Sequence, residues 1–252
     1  MRCVHEAQLH DDNCFITLTF DPEHLMKRKE PWSLDVRDFQ LFMKRLRKHF
    51  KGKKVRFYHC GEYGEEYGRP HYHAILFGVD FEDKVLHTIR NGNRLYVSET
   101  LSKLWPFGYS SIGDMTFESA AYVARYCMKK VTGDAAEEHY MVVDSETGEY
   151  LGHKKPEYAT MSRRPGIAAG WIEKFHGDVY PKDFVTFNGK KMRPPKFYDR
   201  KFEEMEPIEH DAIKSLRSVF DKKRAENNTV ERLTVREKVL KNKTNQLIRT
   251  LE

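Results

Sequence analysis

Along the first half of the chain, short segments that alternate apolar and polar residues are interspersed with segments whose apolar residues recur every three or four positions. The first pattern is typical of half-buried strands and the second of amphipathic helices. The alternating segments predict four strands, at about residues 14–20, 54–62, 70–78 and 109–117. The other segments predict four helices, at about residues 35–49, 82–91, 98–104 and 118–131. Hairpin-linked strands among helices favour an α+β fold, with a central antiparallel β-sheet flanked by helices.

The second half of the chain is less regular until its end. Residues 134–155 are polar, and a proline-containing stretch follows in which residues 165–171 are expected to start a helix. After Pro207 there is no Gly or Pro, and the apolar periodicity predicts two helices interrupted near residues 227–229. We therefore expect three parts, at residues 1–135, 136–207 and 208–252, the last a basic helical extension. That extension could contact DNA, dock onto the core or pair with another copy of the chain.

A histidine pair lies on one face of the third predicted strand. His71 and His73 are two residues apart, so their side chains point the same way at a rise of about 3.3 Å per residue. A turn-rich segment at residues 64–70 precedes them, and an antiparallel hairpin would bring Glu62 beside both imidazoles. Two imidazoles and a carboxylate, with positions left open for substrate oxygens, suit Mg²⁺ or Mn²⁺, and Zn²⁺ also fits. The alternative is a half-buried strand whose histidines are hydrogen-bonded surface residues.

Two tyrosines lie on one face of the last predicted helix of the first half. Tyr122 and Tyr126 are four residues apart, which is about one helical turn. Each is followed three residues later by a cation, Arg125 or Lys129, and Lys130 adds another. A phenol with a pKa of about 10 is a poor nucleophile at neutral pH, and a nearby positive charge favours its phenolate form. The pair therefore suits attack on a phosphodiester, and the alternative is two core aromatics of an amphipathic helix.

Composition makes the chain basic without deciding its function. The 252 residues carry a net charge of +6, and the sequence pI is about 9.0. Residues 37–56 hold nine basic residues and one acidic residue, and apolar positions punctuate the segment. They predict an amphipathic helix with a basic outer face, which would attract phosphate backbones without reading base sequence. The alternative is an ordinary solvated helix face.

Three motifs occur in an order that makes a family recognisable. Residues 15–20 (Phe-Ile-Thr-Leu-Thr-Phe) form the first, residues 69–73 hold the histidine pair, and residues 122–129 hold the two tyrosines. In these motifs the chain resembles the HUH endonucleases, the rolling-circle replication initiators, and most closely those of gokushovirus-like microviruses. Residues 161–167 resemble a further segment of the phage branch. The resemblance covers about residues 2–175.

The resemblance implies a role for each matched residue. His71 and His73 match the paired metal ligands, and Glu62 lies where related initiators often supply an acidic third ligand. Tyr126, with Lys129 three residues on, matches the nucleophile of one-tyrosine relatives. Tyr122 matches the extra tyrosine of the phage-type enzymes, in which one tyrosine holds the 5′ end of the DNA while the other cuts the regenerated origin.

These implications define an expected function. We expect a metal-dependent replication initiator that nicks single-stranded origin DNA through a 5′-phosphotyrosine bond and rejoins the circle, with Mg²⁺ or Mn²⁺ as its cofactor. The residues expected to contact the DNA are Arg125, Lys130, Arg163 and Arg164. Because the chain has no Gly-x-x-x-x-Gly-Lys-Ser/Thr phosphate loop, a host helicase and the host replication machinery are expected partners.

Two other functions stay open at the level of sequence. A transposase or relaxase would use the same histidine pair, and the two-tyrosine segment is what argues against it. A metal- and nucleic-acid-binding protein without catalysis would hold a structural zinc at His71 and His73. No apolar run approaches the roughly 18 residues that span a bilayer, and the four cysteines are scattered, so we expect a protein of the host bacterial cytoplasm. The oligomeric state is open.

Overall fold

The computed structural model describes residues 1–64, 67–125, 130–223 and 225–246. The strands up to residue 161 are β1 (Asn13–Phe20), β2 (Arg56–Tyr63), β3 (Pro70–Phe77), β4 (Val85–Arg90), β5 (Asn93–Val97), β6 (Gly108–Asp114), β7 (Met141–Val143), β8 (Tyr150–His153) and β9 (Tyr158–Met161). Seven of them form one antiparallel sheet in the order β4-β5-β6-β1-β3-β2-β9, whereas β7 and β8 pair with each other. The predicted central antiparallel sheet is therefore confirmed.

Helices connect and flank these strands. They are α1 (Arg2–Ala7), α2 (Pro22–Met26), α3 (Val36–His49), α4 (Glu99–Leu104), α5 (Phe117–Arg125) and α6 (Ala135–Tyr140). The start of α3 is fixed by Asp35, whose carboxylate accepts a hydrogen bond from the backbone N–H of Arg37, and Ser98 caps α4 in the same way. The helix predicted at residues 118–131 is observed as far as Arg125, and residues 126–129 lie outside the described part of the chain.

One face of the sheet is closed by α3. Side chains that alternate along β1 and β3 pack against the apolar side of this helix because residues two apart share a face. The residues of this core that are almost fully buried include Ile16, Leu18, Leu34, Phe42, Leu46, Tyr72, Leu76 and Trp105. The basic outer surface of α3 consequently lies on the side of the sheet that Tyr72 faces, opposite to His71 and His73.

The other face of the sheet is partly covered by α5. Here Phe15, Ile75 and Phe77 form a second apolar cluster with Ala120, Tyr122 and Val123 of the helix and with Ile167. The odd-numbered residues of β1 and β3 thus bury their apolar members under α5, and the same face continues along β3 to His73 and His71.

One sequence-based prediction of secondary structure is wrong. The pattern predicts a helix at residues 82–91, but β4 (Val85–Arg90) pairs with β5 (Asn93–Val97) as a hairpin. The turn is made by Asn91 and Gly92, whose φ angles of 50° and 79° are the left-handed values that a two-residue hairpin turn requires. The Asn-Gly dipeptide between two apolar runs was the available signal.

The chain divides into two compact units, one ending at Ile167 and the other beginning at Ala168. The second unit contains α7 (Ala169–Val179), β10 (Val185–Phe187), β11 (Lys190–Met192), α8 (Lys196–Met205), α9 (Pro207–Lys223) and α10 (Val230–Asn245). A 3₁₀ turn at Ala225–Asn228 separates α9 from α10, which confirms the predicted helical extension with its interruption. The division into three parts at residues 135 and 207 stays a prediction.

Side-chain packing within the second unit joins its helices. Tyr180 stacks on Phe202 with ring centroids 4.1 Å apart, and its hydroxyl donates to Asp199 at 2.7 Å. Arg217 of α9 donates to the carboxylates of both Asp183 and Asp199, so two acidic groups hold one guanidinium. In the described ranges of the chain, no helix is both long and apolar enough to cross a membrane.

Candidate active site

The β2–β3 hairpin brings the predicted metal ligands together. Glu62 lies directly opposite His71 in the strand register, and His73 is two residues further along the same face. The Oε1 atom of Glu62 is 2.7 Å from Nε2 of His73. Both side chains are nearly enclosed, with 4% of Glu62 and 1% of His73 exposed. The expected proximity of Glu62 to the histidines is therefore confirmed as geometry.

Each histidine ring is oriented by a second hydrogen bond. His71 donates from Nδ1 to the backbone carbonyl of Arg69 at 2.7 Å, and Nδ1 of His73 is 2.9 Å from Oγ1 of Thr17. The two rings are nearly parallel, with centroids 6.4 Å apart. A hydrogen bond at Nδ1 fixes the tautomer of a metal-binding imidazole and leaves Nε2 as its ligating atom.

Thr17 is a residue of the site that sequence reasoning did not assign. It lies opposite His73 in the β1–β3 register, and it is 4% exposed. Thr17 belongs to the first sequence motif, where it alternates with apolar residues that face α3. A polar residue on the same strand face as Phe15 was the available signal, but only the strand register shows which histidine it meets.

The end of β2 is held by contacts around Glu62. The hydroxyl of Tyr63 accepts a hydrogen bond from the backbone N–H of Leu34 at 3.0 Å and donates to the carbonyl of Lys155 at 2.7 Å. Gly64 lies so close to His71 that a Cβ atom on it would be 2.7 Å from Cε1 of the ring. The backbone at Gly64 therefore supports one side of the His71 imidazole.

The chemistry of this donor set fits a divalent metal ion. Two imidazoles and one carboxylate leave positions open for substrate oxygens, as Mg²⁺ and Mn²⁺ sites do. Within the described residues, however, no three His, Cys, Asp or Glu side chains are arranged as a finished metal cluster. Glu62 and His73 are instead joined directly by a hydrogen bond, with the atoms that would ligate an ion turned toward each other. Binding of an ion would replace that hydrogen bond with two metal–ligand bonds.

Tyr122 is brought against this cluster by α5. Its ring makes an edge-to-face contact with the His73 imidazole at 5.0 Å and another with Phe15 at 6.0 Å. Only 4% of the side chain is exposed, so it is also part of the apolar cluster under the helix. The two interpretations of this tyrosine, core aromatic and neighbour of the histidines, are both correct as descriptions of its position.

Comparison with known proteins decides which family the chain belongs to. A family model of replication-associated proteins, the ORF2 group, matches residues 13–131. Replication-associated protein VP4 of Bdellovibrio phage phiMH2K is 32% identical over 230 residues, which are 86% of this chain and 67% of that protein. The chain belongs to the replication-associated proteins of microvirus-like phages. It therefore has a role in phage replication.

Two further relatives of this replication-associated protein come from other phages. Replication-associated protein ORF2 of Spiroplasma virus 4 is 30% identical over 201 residues, covering 76% of this chain and 58% of the relative. Replication-associated protein ORF4 of Chlamydia phage 1 is 37% identical over 139 residues, covering 52% and 34% respectively. The chain thus spans from about a third to two thirds of the length of these relatives. No solved structure matches the chain.

The family match begins with β1 and extends past α5, so it includes Glu62, His71, His73 and Tyr122. The other proposed catalytic residues of this replication-associated protein, Tyr126 and Lys129, also fall within the matched segment. Both lie outside the described residues, and their roles stay predictions.

The four predicted DNA contacts occupy two different places. Arg125 ends the described part of α5, where it is half-buried, and Lys130 is exposed. Arg163 and Arg164 are exposed in a turn that is joined to the beginning of β2, because Arg56 donates to the carbonyls of the next two residues. Since Glu62 lies near the other end of β2, about 20 Å along the strand from Arg56, the structure does not bring these two arginines to the histidine cluster.

The chain that follows the tyrosine motif is tied down by a buried hydrogen-bonded pair. Val131 donates its backbone N–H to the hydroxyl of Tyr140 at 3.0 Å, and that hydroxyl donates to Glu157 at 2.6 Å. Burial and the bond to the Glu157 carboxylate raise the pKa of Tyr140 to about 12, so it stays a neutral donor. This contact fixes the chain just after residues 126–129.

Proposed function

We propose that this protein is a metal-dependent nickase and ligase of single-stranded DNA that initiates rolling-circle replication of a phage genome. The observation that carries the proposal is the cluster of Glu62, His71 and His73 beneath a helix whose Tyr122 contacts His73. Membership in the replication-associated family supports replication over transposition as the setting.

In the proposed reaction a tyrosine hydroxyl oxygen, of Tyr126 or Tyr122, attacks a backbone phosphorus. The new bond joins the phenolic oxygen to phosphorus, the bond from phosphorus to the 3′ oxygen breaks, and the phenolic proton ends on that 3′ oxygen. The product is a 5′-phosphotyrosine with a free 3′ hydroxyl. Because one phosphoester replaces another, a 3′ hydroxyl can later reverse the step and close the circle without ATP.

The chain's own residues contribute orientation, charge and exclusion of water. Glu62, His71 and His73 would hold Mg²⁺ or Mn²⁺, which when bound would polarise the scissile phosphate. Thr17 and the carbonyl of Arg69 keep the two imidazoles in the tautomer that ligates through Nε2.

Positive charge near the tyrosines has a second use in this proposal. Lys129 and Arg125 would favour the phenolate of the attacking residue, since a nearby cation lowers the pKa of a phenol. Lys130, Arg163 and Arg164 would contact the DNA backbone, the two arginines at a distance from the cut. A host helicase and the host replication machinery would separate the strands, in the host cytoplasm.

A covalent-capture assay tests the proposal. The wild-type protein, Tyr126→Phe, Tyr122→Phe and the double variant are incubated with Mn²⁺ and a pool of labelled single-stranded oligonucleotides, then separated on denaturing gels. We expect an adduct with the wild type, reduced or altered adducts with each single variant, and none with the double variant. Tyr150→Phe, in the separate β7–β8 pair, is the matched control and should form as much adduct as the wild type.

Two results would contradict the proposal. An adduct that persists in the double variant would mean that neither tyrosine is the nucleophile. Adduct formation that is unchanged in EDTA would exclude the metal. The absence of any adduct across a diverse pool, together with tight DNA binding and stoichiometric Zn²⁺, would identify a binding protein without catalysis.

A further inference from the structure

A row of four side chains crosses the sheet at the level of the candidate metal site. Glu62 of β2 is opposite His71 of β3, His71 is opposite Thr19 of β1, and Thr19 is opposite Tyr109 of β6. Directly opposed residues of antiparallel strands point to the same face. Tyr109 is therefore on the same sheet face as the two histidines, in one line with Glu62 and His71.

Tyr109 differs from the rest of this row in its exposure. Its side chain is 65% exposed, whereas Thr19, between it and His71, is a small and half-buried residue. None of the described residues stacks on the Tyr109 ring. A large aromatic ring that stands open on a sheet face, beside a low neighbour, offers a flat surface to a planar partner.

The distance from Tyr109 to the histidine cluster suits a nucleotide. Adjacent strands are separated by about 4.8 Å, so the Cα atoms of Tyr109 and His71 are roughly 10 Å apart, two strand spacings. A nucleotide whose phosphate lay at Glu62 and His71 would extend its sugar and base over Thr19 toward the Tyr109 ring. Stacking on an exposed tyrosine requires no particular base, because every base has a π-face.

Charge at the other end of the row agrees with a nucleic acid as the occupant. Arg69 directly precedes β3, and its guanidinium lies over the Tyr67 ring, 5.4 Å from the centroid. A cation beyond Glu62 at one end and an open aromatic ring at the other suit a backbone phosphate and a base of one single strand.

We propose that Tyr109 is a DNA-binding residue that stacks on the base of a nucleotide next to the scissile phosphate. The proposal rests on the proposed function for the position of the cut. It adds a contact outside the metal site and the tyrosine helix, and it gives the strand a direction across the sheet, from β2 to β6.

Binding of a fluorescein-labelled oligothymidylate, followed by anisotropy, tests the stacking itself. Tyr109→Ala and Tyr109→Leu should weaken binding roughly 5- to 100-fold, as expected for the loss of one base–aromatic stack, and Tyr109→Phe should bind like the wild type. Tyr150→Ala is the matched control, because Tyr150 is also exposed (56%) but lies on the β7–β8 pair, and it should not change the affinity. Circular dichroism checks that each variant is folded.

The position of the stacked base can be mapped on a cleavable oligonucleotide. An abasic site is moved stepwise along the strand, and the penalty of Tyr109→Ala should disappear only when the missing base is adjacent to the cut. Equal affinity of Tyr109→Ala and wild type, or full binding by Tyr109→Leu, would overturn the proposal. A change in oligomeric state in place of DNA affinity would overturn it too, since the ring would then be a contact with a second copy.

The two proposals fail in distinguishable ways. Normal adduct formation with no effect of Tyr109→Ala on DNA affinity would leave the nickase in place and remove the stacking residue. Weakened DNA binding by Tyr109→Ala in a protein that forms no adduct would support the stacking contact and remove the nickase.

Discussion

The two faces of the sheet carry the same pair of residues, a threonine hydrogen-bonded to a histidine, in opposite surroundings. On the face covered by α3, Nδ1 of His59 is 2.9 Å from Oγ1 of Thr160. On the face partly covered by α5, Nδ1 of His73 is 2.9 Å from Oγ1 of Thr17. Both histidines are 1% exposed, so burial does not distinguish them.

The second nitrogen of each ring makes the difference. His59 is stacked against Phe39 with centroids 3.5 Å apart, and its Nε2 has no hydrogen-bond partner among the described residues. Burial, and then the charge of the neighbouring His73, hold the pKa of His59 well below its usual value of 6.5. Nε2 of His73 instead meets the carboxylate of Glu62. A carboxylate within reach, and not burial or residue type, is what separates a candidate ligand from a structural histidine here.

The largest effect that would break this comparison is expected from the ligands themselves. Replacing both His71 and His73 with Ala should abolish adduct formation, because the nitrogen ligands are lost while the DNA-contacting surfaces remain. Adduct yield and oligonucleotide affinity, measured on the same preparation, check this. If the variant cuts DNA normally, or if it loses DNA binding to the same extent as cutting, the metal assignment is wrong.

The two threonines allow a matched test of the surroundings. Thr17→Val should reduce the rate of adduct formation about 10- to 100-fold, the usual cost of losing the partner that orients a metal-binding histidine. Thr160→Val removes the same kind of hydrogen bond on the other face and should leave that rate unchanged. Both variants should lose about 1 kcal/mol of unfolding free energy. Equal rates for the two variants would show that the Thr17–His73 bond has no special role.

Two glycines offer a smaller contrast of the same kind. Gly64→Ala would push on the His71 ring, where a Cβ atom would lie 2.7 Å from Cε1, and should slow adduct formation about tenfold by misplacing a ligand. Gly61→Ala would meet Tyr158 at the same distance of 2.7 Å but on the α3 face. It should cost about 1–3 kcal/mol of stability by overpacking while the rate per folded molecule stays constant. Rates normalised to folded protein decide between these outcomes.

The smallest effect concerns pH and the structural histidine. Because the pKa of folded His59 lies below its unfolded value of 6.5, the unfolded state binds a proton first as pH falls. Stability is therefore complete above this value and should decline below it by about 1.4 kcal/mol per pH unit for this group. His59→Asn should remove that part of the slope in urea unfolding between about pH 7 and pH 5. An unchanged slope would mean that His59 is protonated in the folded protein.

Local patterns in the sequence predicted the parts of the fold that depend on local patterns. The alternation in β1 and β3, the amphipathic period of α3 and the turn before Pro70 located the hairpin that joins Glu62 to the histidines. The strand β4 was missed because its apolar residues are compatible with either period and its sheet-edge position leaves most of it exposed.

Long-range pairing was beyond the sequence for a physical reason. The pairing of β9 with β2 joins residues about a hundred positions apart, and no local period encodes such a register. For the same reason neither the contact of Thr17 with His73 nor the row from Glu62 to Tyr109 could be predicted. The roles of Tyr126 and Lys129 depend on the motif resemblance, since both residues lie outside the described part of the chain.

The central claim is that Glu62, His71 and His73 form a metal centre, and the nitrogen ligands can be observed directly. Pulsed electron paramagnetic resonance of Mn²⁺ bound to the protein, with a single-stranded oligonucleotide present, reports imidazole nitrogens that coordinate the ion. The account predicts nitrogen couplings in the wild type and in Thr160→Val, and their loss when both His71 and His73 are Ala. A bound Mn²⁺ surrounded only by oxygen ligands in the wild type would contradict it.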